Sequence, residues 1–141
     1  MPREVRFDCM SSRNILVIDD NFWIRRLVIT VLRRRGFECD EAIDGLEAME
    51  KIRAADYDGV ILDLMMPRAN GFEVIAFLVD EKPQLLATTI VLTADSSRWN
   101  DPALSPVARV VQKPFDVNEF VGIVDEITSG AAGAGSASEP T

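Results

Sequence analysis

Asp19 and Asp20 follow the apolar run 15–18, Asp63 follows 60–62, Thr93 follows 90–92, and Lys113 stands just beyond 110–111. Short apolar runs that alternate with helical patterns read as parallel strands buried on both faces, and such sheets bind ligands at the carboxyl ends of their strands. Three carboxylates, a hydroxyl and an amine therefore meet at one edge. Two carboxylates about 4 Å apart repel by roughly 4 kcal/mol at an effective dielectric near 20, so a cation must join them. The chain has no histidine, and neither cysteine is near these acids in sequence, so the donors are all oxygen. That chemistry selects Mg²⁺, with Mn²⁺ as a substitute. A carboxylate held beside such a cation and the Lys113 ammonium is a nucleophile toward phosphorus, and the product is an aspartyl phosphate. Thr93 and the amides after Asp63 supply hydrogen-bond donors for the phosphoryl oxygens.

The elements that must position these groups are marked along the chain. Ile24, Leu27, Val28, Val31 and Leu32 recur at helical spacing, with Arg33, Arg34 and Arg35 in the last turn and Gly36 as the stop. The arginines complement the helix dipole and face solvent. Residues 37–42 read as an edge strand, and 44–54 as a helix with Leu46, Met49 and Ile52 inward. Pro67 and Gly71 bracket a loop before a third helix marked by Phe72, Ile75, Ala76 and Val79, and Pro83 lies past its end. The fourth strand is expected over 87–93. Asp116 with Glu119 three positions later opens a last helix carrying Val117, Phe120, Val121 and Val124. Between the fourth and fifth strands, 96–106 contains Pro102 and Pro106 and predicts only irregular turns. The alternation implies an α/β fold, a doubly wound five-stranded parallel sheet with helices on both faces and right-handed crossovers.

With 141 residues, 48% of them hydrophobic, the chain is long enough for one domain with a real core. We expect an extension over 1–13, a folded domain over 14–128 and a Gly-Ala-Ser tail over 129–141. The net charge of −8 argues against direct contact with nucleic acid or an anionic membrane. No apolar run reaches the roughly 18 residues of a membrane span. Without histidine, Ser-His and Cys-His nucleophile pairs are excluded. Cys9 and Cys39, far apart and preceded by no signal peptide, suit a reducing, cytoplasmic setting.

At its chemical residues the chain resembles the receiver domain of two-component response regulators. The resemblance runs over about residues 14–128 and rests on Asp19-Asp20, on Asp63-Leu64-Met65-Met66-Pro67 followed by Gly71, on Thr93-Ala94 and on Lys113-Pro114-Phe115. It implies a flavodoxin-like strand order of 2-1-3-4-5. It also implies that Asp63 accepts a phosphoryl group from a sensor histidine kinase or a histidine phosphotransfer protein. Asp20, Asp63 and the backbone carbonyl of Met65 would hold Mg²⁺, with Asp19 reaching it through water. Lys113 would contact the phosphoryl group from a cis bond to Pro114, and Thr93 would be the switch hydroxyl. Such a protein performs Mg²⁺-dependent phosphotransfer and autodephosphorylation on itself, and its changed surface engages a downstream protein target. Oligomeric state is left open.

Two departures bear on output. Receivers commonly carry Tyr or Phe three positions before the lysine, whereas this chain has Val110, which is stiff at χ1 and has no ring to turn. The segment 96–106 stands where a regular fourth helix is usual, so that helix is expected to be short or irregular, and Trp99 is a candidate lever within it. The alternatives are a degenerate receiver that binds partners without phosphorylation, which Val110 favours and the intact acid, threonine and lysine set opposes, and a receiver excised from a larger regulator or hybrid kinase.

Overall fold

The computed structural model describes residues 13–64, 66, 70–94 and 101–129. The expected N-terminal extension up to residue 12 with Cys9, the Met65 carbonyl, Pro67, Trp99 and the tail from 130 lie outside the described residues.

Among the described residues five strands alternate with four α-helices: β1 (Asn14–Ile18), α1 (Phe22–Arg34), β2 (Glu38–Ala42), α2 (Gly45–Ala54), β3 (Gly59–Asp63), α3 (Gly71–Glu81), β4 (Thr89–Thr93), β5 (Arg109–Gln112) and α4 (Val117–Thr128). All pairings are parallel, in the order β2-β1-β3-β4-β5. This is the doubly wound sheet and the strand order expected from the sequence, with β2 as the expected edge.

Period-two alternation sorts the strand side chains between two cores. Leu16, Ile18, Val60, Leu62 and Val91 pack against Ala48 and Ile52 of α2 and Val74, Ile75 and Leu78 of α3. On the other face Ile15, Val17, Ile61, Ile90 and Leu92 meet Val28, Ile29 and Leu32 of α1 and Phe120, Val121 and Val124 of α4. β3 and β4 are buried along their whole lengths, as central parallel strands must be.

Several inward faces differ from expectation. Leu27, Leu46 and Val79 remain exposed, while Arg25, Ala48, Val74 and Leu78 take buried places. In these three helices the face that packs on the sheet is offset from the run of large apolar residues in the sequence. The fourth strand begins at Thr89 rather than 87, because a 3₁₀ turn over Pro83–Thr88 holds the preceding residues. Pro83 presets that turn's φ, and the hydroxyls of Thr88 and Thr89 both donate to the Leu85 carbonyl. Between β4 and β5 the described residues form a short 3₁₀ turn, Pro102–Leu104, with Leu104 buried against the α2–α3 core. The Lys113–Pro114 bond is cis.

Candidate functional site

The carboxyl ends of β1, β3 and β4 and the residue after β5 converge. Asp19 directly follows β1, Asp63 ends β3 and Thr93 ends β4. Carboxylate oxygens of Asp19, Asp20 and Asp63 lie within 4.8 Å of one another. Asp19 and Asp63 are buried, at 1% and 5% exposure, whereas Asp20 faces solvent. Lys113 Nζ stands 3.5 Å from Asp19 Oδ2 and 3.5 Å from Asp63 Oδ1. The sequence-predicted acids and lysine are therefore brought together. Thr93, fully buried at the end of the neighbouring strand, accepts the Lys113 amide on its carbonyl at 2.8 Å, which sets where the lysine leaves the backbone.

The local chain explains why these groups stay in place. The Asp19 amide donates to the Ala42 carbonyl, continuing the β1–β2 ladder one residue beyond the strand. The Asn21 amide donates to Asp19 Oδ1 at 2.8 Å, while the Asn21 side chain caps α1 by accepting from the amides of Trp23 and Ile24. One residue thus fixes the first acid and starts the helix. On the other side the Leu64 amide donates to the Leu92 carbonyl, and the Gly71 amide returns to the Leu64 carbonyl. A Cβ at Gly71 would stand 2.7 Å from Leu64 Cα and 2.8 Å from the Asp63 carbonyl oxygen. Glycine is required there by close backbone approach, which presses the start of α3 against the acid of β3.

Arg25 completes the surroundings. Its guanidinium donates from Nη1 to the Asp19 carbonyl at 2.8 Å and from Nε to Glu41 Oε1 at 2.7 Å. Glu41 is held below the usual carboxylate range, first by the Arg25 hydrogen bond, against partial burial, and then by the charges of Arg25, Arg26 and Lys51. Neither Asn21 nor Arg25 stood out in the sequence. Asn21 had a readable signal, since Asn is a strong helix N-cap, but Arg25 looked like one of many solvated arginines.

Among the described residues the three converging carboxylates are an oxygen-only donor set, which fits a hard divalent cation. Val110, where an aromatic ring was the pattern, is half-buried and packs against the α2–α3 core. Trp23 is exposed at 77% and makes an edge contact with Phe22.

The chain is similar to known proteins over most of its length. The response regulator receiver domain family matches residues 15–125. The transcriptional regulatory protein ResD of Bacillus subtilis is 42% identical over 117 residues, covering 81% of this chain and 47% of ResD, so the chain spans about half of that relative's length. Protein PilG of Pseudomonas aeruginosa is 29% identical over 113 residues, covering 78% of this chain and 83% of PilG. Among solved structures, the response regulator TrrA of Thermotoga maritima in complex with Mg²⁺-BeF aligns with a TM-score of 0.76 and 35% identity, over 82% of this chain and 98% of that one. TrrA in complex with the histidine kinase ThkA aligns with a TM-score of 0.74, over 82% and 97% of the two chains.

Proposed function

The chain belongs to the response regulator receiver domain family, and from that premise we propose that Asp63 is a phosphoacceptor, charged by a histidine kinase or a histidine phosphotransfer protein. The observation that carries this reading is the meeting of three carboxylates within 4.8 Å, two of them buried and sharing one lysine ammonium. Asp20 and Asp63 would hold Mg²⁺ together with the backbone carbonyl of Met65, which lies outside the described residues, and Asp19 would reach it through water. The cation supplies charge neutralisation to the phosphoryl oxygens.

One carboxylate oxygen of Asp63 attacks phosphorus in line. The bond from phosphorus to the donor imidazole nitrogen breaks, its electron pair returns to the ring, and the acyl phosphate remains on Asp63. Lys113 lies against both buried acids at 3.5 Å and follows the negative charge as it moves onto the phosphoryl oxygens. Thr93, at the end of the adjacent strand, turns its hydroxyl to the new phosphoryl group. With a stiff Val110 in place of a ring, the response leaves through 96–106, where Leu104 anchors the described part to the α2–α3 core. The altered surface then meets a protein target. The kinase-bound state of TrrA supports a kinase as the donor's source, and its Mg²⁺-BeF complex supports the metal.

Incubation with Mg²⁺ and a small-molecule phosphodonor, read by intact mass, tests the assignment. The native chain gains one phosphoryl group and Asp63→Asn gains none. An unmodified native chain would instead support a receiver that binds partners without phosphorylation. Amide exchange with and without a phosphoryl mimic tests the route, and unchanged protection over 96–106 beside a change elsewhere removes that segment from it.

A further inference from the structure

Arg25 is on α1, yet only 7% of it is exposed, and a charged side chain is seldom so buried unless its charge and donors are matched. Its guanidinium bonds two groups near the ends of different strands: the carbonyl of Asp19 after β1 and the carboxylate of Glu41 in β2. The Asp19 carbonyl belongs to the planar peptide joining Asp19 to Asp20. Fixing that oxygen fixes ψ of the first acid and φ of the second, and so the directions in which both carboxylates leave the backbone.

We propose that Arg25 is a positioning residue of the Mg²⁺ pocket, with Glu41 as its anchor, and that together they set the pocket's cation affinity without touching the cation. The inference rests on the Mg²⁺ site proposed above. A lone buried cation beside the pocket would repel Mg²⁺, but Glu41 neutralises the guanidinium at 2.7 Å. What remains is the planar fork, which reaches the peptide oxygen and the carboxylate at once; a lysine ammonium reaches one of them. Arg26 serves as an internal comparison, because it meets Glu41 at 3.3 Å from a 40% exposed side chain and has no bond to the acid pair's backbone.

Calorimetric Mg²⁺ titration of the full chain, beside thermal unfolding in chelator, tests this. The native chain binds Mg²⁺. Arg25→Lys and Glu41→Ala each bind about tenfold more weakly, as loss of an outer-shell partner does elsewhere. The double variant is no weaker than either single one, and Arg26→Ala stays within about twofold of native. Arg25→Gln, which also removes the charge, binds no more tightly than Arg25→Lys. Native-like affinity in folded Arg25→Lys and Glu41→Ala overturns the proposal, and tighter binding by Arg25→Gln overturns it in favour of simple charge repulsion. If Arg25→Lys does not fold, Glu41→Ala decides, since that carboxylate is 38% exposed. A native chain that ignores Mg²⁺ removes the site itself, a failure distinct from that of the anchor.

Discussion

Asp19 and Asp63 are buried carboxylates that share the ammonium of Lys113, at 3.5 Å from each. In the absence of metal their repulsion is only partly offset, so the residues best suited to chemistry are poorly suited to stability. Asp63→Asn therefore raises metal-free stability by about 1–3 kcal/mol, measured by urea unfolding in chelator. Lys113→Met acts in the opposite sense, costing about 1–3 kcal/mol in chelator because it leaves two buried acids without their cation, and Mg²⁺ restores most of the loss. Saturating Mg²⁺ raises the melting temperature of the native chain, by linkage worth about 2.7 kcal/mol at a hundred times the dissociation constant, and raises that of Asp63→Asn far less. A melting temperature of Asp63→Asn at or below native in chelator would show that repulsion is not what the pocket stores.

Among the elements, α3 is tied to the site by close backbone approach. Its amide at Gly71 bonds the Leu64 carbonyl, and its Asn70–Glu73 capping box satisfies both ends of the first turn. Gly71→Ala places a methyl 2.7 Å from Leu64 Cα and costs about 1–3 kcal/mol, in the range of overpacked positions, while also lowering the rate of Asp63 modification. Asn70→Ala removes the cap alone and costs about 1 kcal/mol with the modification rate retained. Equal losses of rate in the two variants would mean that the site senses helix stability rather than backbone approach. The contrast also explains what was legible in the sequence. Asp19, Asp63, Thr93 and Lys113 were readable because apolar strands are short and their ends are sharply marked. The inward faces of helices were not, because Leu27, Leu46 and Val79 extend real apolar stripes that the sheet does not cover. Arg25 was illegible for a further reason: its burial depends on an oxygen and a carboxylate that are 6 and 16 residues away.

At the scale of the whole molecule, the response to acid is set by carboxyls that the fold holds in their charged form. Glu41 is held low by the Arg25 bond, as described. Partial burial works against Asp40, yet hydrogen bonds from Tyr57, the Glu41 amide and Lys51, with the lysine's charge, bring it below its usual range. Carboxyls depressed on folding stabilise the protein fully above their ordinary values of 3.8 and 4.5, and that contribution disappears as pH falls through their folded values. Stability measured from about pH 5 downward therefore falls more steeply for the native chain than for Glu41→Gln, and parallel curves would locate the acid sensitivity elsewhere.

Residue 13, just before β1, is clasped to the end of α4: the Arg13 guanidinium donates to Asp125 Oδ1 at 2.7 Å, to its carbonyl and to the Thr128 hydroxyl, and stacks over Phe37. β1 enters the sheet there and leaves it at Asp19, so this clasp and the acids occupy opposite poles of the molecule. A dye, bead or surface tether fixed beside Arg13 or Ser129 is thus held at the far pole, and leaves the acid pocket facing open solution.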